Sequence, residues 1–76
     1  MNKESSSELQ NAIHKIEAAK IVLESVVDEE KNLLDNIPEG AQVTAHGVKM
    51  EYSISNLEIA IDHLNESLRA LQNEIQ

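Results

Sequence analysis

Met50, Ile54, Leu57, Ile61, Leu64, Leu68, Leu71 and Ile75 follow one another at steps of four and three, with no polar residue in the series. Such steps average 3.5 residues, close to the 3.6 of an α-helix, so all these side chains line one side of a single helix. A strand, with its period of two, would scatter them over both faces. The spacing therefore predicts a long helix whose apolar stripe has to be covered by another helix. The first half of the chain carries the same steps at Leu9, Ile13, Ile16, Leu23, Val27 and Leu34, with Lys20 and Glu30 on the two seam sites between. Beside that seam runs a second line, Ala12, Ala19, Val26 and Leu33, which broadens the apolar face. Ser53, Ala60 and Ser67 flank the later seam with small side chains and leave room for a close helix approach.

The two seams are separated by "DNIPEGAQVTAHG" (35–47), which holds the only proline and both glycines. Pro38 disfavours helical geometry at Ile37, and Gly40 is able to take a left-handed conformation. Asp35 or Asn36 is placed to cap a single turn through Pro38 and Glu39. At the start, Ser5 with Glu8, or Ser7 with Gln10, has the spacing of a capping box. Thr44 is the expected cap of the second helix, with Val43 and Val48 spaced as a hydrophobic staple. The expectation is one domain over 1–76: helix 1 about 6–36, connection 37–44, helix 2 about 45–75. Two long rods joined by a short loop fold back as an antiparallel helical hairpin, an all-α fold.

Composition narrows the classes. Tyr52 is the only aromatic residue, so the core is aliphatic, which suits helix-on-helix packing and not a sandwich or barrel. The absence of cysteine excludes a disulfide framework and a thiolate metal site, and fits a cytoplasmic setting. "MNKESSSELQ" offers no signal-peptide core, and the longest apolar run, Ile21 to Leu23, is too short for a membrane. Fourteen acids against six bases give a net charge of −8, which repels phosphate backbones and anionic lipid. A basic protein is the electrostatic complement. At 76 residues one core rarely suffices without a staple, so a hairpin is expected to self-associate, as a dimer forming a four-helix bundle or as a higher oligomer.

Candidate chemistry is sparse. His14 with Glu17, and His63 with Glu66, are pairs one helical turn apart, and a fold about residue 40 would bring them level. Helical di-metal sites place Glu before His and point both inward, whereas here the order is reversed and both histidines fall off the seam. They therefore read as surface histidines, and no metal or cofactor is expected. Glu58, Asp62 and Glu66 form an acidic ladder at four-residue spacing, which destabilises a helix slightly and reads either as a solvated face or as a face for a basic partner. Lys20 is expected to reach Glu17 or Glu24, and Glu30 to pair with Lys49; polar seam residues of this kind set register. Ile21, Val22, Tyr52 and Ile59 fall on the outer sides of their helices, with Ile21 and Val22 expected level with Ile59, and make a candidate interaction patch. No phosphate loop, nucleophile elbow or paired catalytic carboxylates occur, so a non-enzyme is expected.

"DEEKNLLDNIPE" followed by "SNLEIAIDHLNESLRAL" resembles a recurrent type of small acidic protein encoded by bacterial prophages and related mobile elements. In these an acidic helix ends in Asp-Asn-apolar-Pro-Glu, matched by Asp35 to Glu39, and a second helix repeats Leu-x-x-Ala-Ile-x-x-Leu, matched by Leu57, Ala60, Ile61, Leu64 and Leu68. The likeness covers roughly residues 28 to 71 and departs at "GAQVTAHGVKMEY". It carries no assigned site. Beside the self-associating interaction module that the residues suggest, it implies an alternative of different class, an inhibitor of a bacterial defence system. Such an inhibitor would bind a host protein, by acidic or DNA-like charge, or sequester a nucleotide signal. The scarcity of arginine and lysine makes the nucleotide role the poorer match.

Overall fold

A computed structural model describes residues 1–42 and 44–75. Three helices follow one another: α1 (Lys3–Asp35), α2 (Glu39–Gln42) and α3 (Ala45–Glu74). The two long ones pack against each other. Their sense is set by two cross-contacts. Lys20 Nζ donates to Asn65 Oδ1 at 2.9 Å, and Lys31 Nζ lies 3.2 Å from Glu58 Oε2. Moving forward on α1 thus moves backward on α3, and the pair is an antiparallel hairpin measuring 58 × 15 × 15 Å.

α1 begins earlier than the capping-box spacing predicts. Its cap is Asn2, whose side-chain oxygen accepts from the Ser5 N–H at 2.8 Å. Ser5 and Ser7 lie inside the helix instead. A cap three residues upstream satisfies one otherwise orphaned amide and lets Glu4 sit in the first turn, where a negative charge suits the helix dipole. At the other end Asn36 is the C-cap, its N–H donating to Asn32 O at 3.1 Å, and the Ile37 N–H donates to Leu34 O at 3.1 Å.

Pro38 then starts the short α2 by accepting from the Ala41 N–H at 2.8 Å through its carbonyl. Gly40 lies in this helical turn, and no described residue has a positive φ, so the left-handed conformation open to Gly40 is not used. Thr44 caps α3 as expected, accepting from the Gly47 N–H through its side chain. The proposed staple partner Val43 lies outside the described residues.

Both seams face inward. Ile13, Val27, Ile54 and Leu68 are the buried hydrophobic residues, and the remaining apolar seam residues are half-buried. The broader face expected of α1 is not buried: Val26 is half-buried, while Ala12, Ala19 and Leu33 are exposed. One helix opposite covers a seam, not a seam and its flank.

Candidate functional site

The hairpin has two long sides where α1 and α3 meet, and they differ in chemistry. On one side the positions flanking the seams are Glu17, Glu24 and Lys31 on α1, with Glu51, Glu58 and Asn65 on α3. An open depression of about 420 Å³ lies here, with Val27 and Ile61 at its floor and Glu24, Asp28, Glu58 and Asp62 around it. Two inter-helix polar contacts among the described residues, Lys20–Asn65 and Lys31–Glu58, join residues of this side. Among the described residues Lys31–Glu58 is the one ion pair. Its side chains are each half exposed, which limits it to a few tenths of a kcal/mol, up to about 1.

On the opposite side the flanking positions are Ala19, Val26 and Leu33, with Ser53, Ala60 and Ser67. None is charged. The Lys20–Asn65 and Lys31–Glu58 contacts set all six along the same stretch of the hairpin, with successive positions of each line about 10 Å apart. Toward the connection this side continues into a shallower depression lined by Glu30, His46, Lys49, Met50 and Ser53.

Several sequence expectations change in this frame. Lys20 reaches across to Asn65 and not along its own helix to Glu17 or Glu24. Glu30 and Lys49 share a depression, but the ion pair joins Lys31 to Glu58. Of the acidic ladder, Glu58 and Asp62 border the groove while Glu66, exposed, is carried off it by the helical drift of a four-residue step. Glu24 and Asp28 complete the groove from α1. The ladder on α3 gives no sign of them, since only the fold brings them beside it.

The four outer apolar residues are exposed, Ile21 by 64%, Val22 by 61%, Tyr52 by 69% and Ile59 by 52%. They do not make one patch. Positions opposite the seam point away from the partner helix, so Ile21 and Val22 lie on one edge of the hairpin and Tyr52 and Ile59 on the other. Nor are they level. Residues 21 and 22 stand opposite 64 and 63, about a turn beyond Ile59.

The same register offsets the His14/Glu17 and His63/Glu66 pairs by about five residues, or ~7 Å along the axis. No three His, Asp or Glu side chains among the described residues converge as a metal site would require. Among the described residues no helix is long and apolar enough to cross a membrane.

The class defined by these observations is an all-helical antiparallel hairpin with one acidic flank and one that is uncharged over its middle, between Glu30 and Lys49 at one end and Glu74 at the other. Comparisons with protein-family models, with curated proteins and with solved structures gave no match.

Proposed function

We propose that the protein is a non-catalytic helical interaction module whose first partner is another copy of itself, two hairpins packing as a four-helix bundle. The observation that carries this reading is the surface one hairpin leaves in water. It exposes 5689 Å², against about 4,700 Å² for a folded monomeric protein of its 8.5 kDa mass. The excess of about 1,000 Å² is the size of one partner's share of a standard interface, roughly 800 Å². The radius of gyration, 17.3 Å, likewise exceeds the ~11 Å of a compact domain of this length. Among the described residues no side chain is fully enclosed, so the aliphatic seams are only partly withdrawn from solvent.

Thermal unfolding at several concentrations tests this. If folding is coupled to dimerisation, a hundredfold rise in protein adds ~2.7 kcal/mol per dimer by mass action and raises Tm by roughly 8 °C. A Tm independent of concentration would count against self-association.

The acidic groove favours a second reading, in which that side takes a basic protein, the resemblance to prophage proteins suggesting a component of a bacterial defence system. Four carboxylates around an apolar floor suit a Lys/Arg-rich helix or loop. A Lys/Arg-rich peptide should then bind progressively more weakly as salt rises past ~0.15 M, where the screening length is about 8 Å. Neutralising Glu24, Asp28, Glu58 and Asp62 together should slow its association. Binding unchanged by salt would return the groove to a solvated surface.

A further inference from the structure

We infer that the second copy docks on the uncharged flank, the side of Ala19, Val26, Leu33, Ser53, Ala60 and Ser67, leaving both acidic grooves facing outward. This rests on the self-association reading and adds the face to it. A two-fold dimer is isologous: each surface meets its own counterpart. A face that buries itself against itself must therefore tolerate its own charge. The groove side tolerates it less well. It would gather Glu24, Asp28, Glu58 and Asp62 of both copies in one interface, with only Lys20 and Lys31 of each to offset them, and unpaired like charges there cost several kcal/mol.

The opposite side presents uncharged positions at heptad spacing on both helices, Ala12, Ala19, Val26 and Leu33 on α1 and Ser53, Ala60 and Ser67 on α3, before Glu74. Leu33, 56% exposed, is its largest apolar side chain, and Val26 and Ala60 are already half-buried between the helices. Small residues at 19, 53, 60 and 67 let a second pair of helices come close. The α1 flank line Ala12, Ala19, Val26 and Leu33, which one hairpin leaves uncovered, becomes the inner face of the bundle. The surface excess of about 1,000 Å² is enough for one such interface per copy.

The test uses the full chain, with mass read by sedimentation and folding by helical circular dichroism. Leu33→Glu and Ser67→Glu each replace an exposed residue, so both variants should keep their helicity. Because each charge enters a two-fold interface twice, each should weaken the dimer by about tenfold or more. Asp62→Lys, on the groove side, should leave the dimer constant within about twofold. The opposite pattern, with Asp62→Lys altering the mass and both flank variants remaining dimeric, would overturn the face assigned here while leaving self-association intact. A wild-type chain that stays monomeric would overturn the self-association reading itself. Dimerisation of the wild type seen only when a basic peptide is added would overturn both, in favour of a heterologous occupant.

Discussion

Leu68→Ala is expected to lower stability by ~2–5 kcal/mol, while Glu74→Ala stays within about 0.5 kcal/mol of the wild type. Leu68 is one of the four buried hydrophobic side chains among the described residues, and Glu74 is exposed in the last turn of α3. Removing three carbons from an aliphatic seam forfeits their transfer from water and leaves a void that the neighbouring turns close only in part. For a chain of 76 residues the whole folding free energy is on the order of 4–11 kcal/mol. One truncation therefore removes a large share of it. The denaturant midpoint should fall for Leu68→Ala with little change in slope, because the surface exposed on unfolding is nearly the same. Equal midpoints for the two variants would contradict the seam described here.

Val27→Asp should have an effect of comparable size, and one that depends on pH. Val27 is buried at the floor of the groove between Glu24, Asp28, Glu58 and Asp62. A carboxyl placed there loses water and gains like-charged neighbours, and both effects raise its folded-state pKa above the ~3.9 of an unfolded aspartate. A raised carboxyl pKa penalises the folded state at any pH above the unfolded value, and the penalty reaches its full size above the folded one. It is relieved as pH falls through the folded value and vanishes below the unfolded one. A shift of about three units corresponds to ~4 kcal/mol. The stability difference between variant and wild type should thus be near that size at pH 7 and shrink markedly toward pH 4. A difference constant over that range would show that the side chain at this position is in contact with water.

The two seams could be read from the residues because a period of 3.5 admits no alternative to a helix, and Thr44 because a cap immediately before an apolar repeat is a local signal. The register could not. A heptad repeat looks the same after every shift of seven, and the length of the turn then decides which layers meet. A fold about residue 40 is the sequence expectation, whereas the Lys20–Asn65 and Lys31–Glu58 contacts put the reversal a few residues later, between 42 and 45. The reason lies in α2. Pro38 starts a new helical turn that packs on α3 and so extends the outgoing arm by three to four residues before Thr44 starts the return. That shift separates Ile21 and Val22 from Ile59, and it separates the two His/Glu pairs.

The start of α1 departs from the capping-box spacing for a different reason. Asn2, Ser5 and Ser7 are all competent caps within one and a half turns. Spacing cannot choose among them. The most upstream cap won, since nothing between residues 3 and 7 interrupts the helix. The acidic groove was visible only in half, because Glu58 and Asp62 are neighbours along a helix while Glu24 and Asp28 become neighbours only across the hairpin.

The central claim is that the surface one hairpin leaves uncovered is covered by a second copy. Sedimentation equilibrium of the unmodified chain, loaded over a wide range of concentrations at moderate salt, tests it most directly. The account predicts a mass approaching twice 8.5 kDa as loading rises. A single-chain mass of 8.5 kDa at every loading would contradict it.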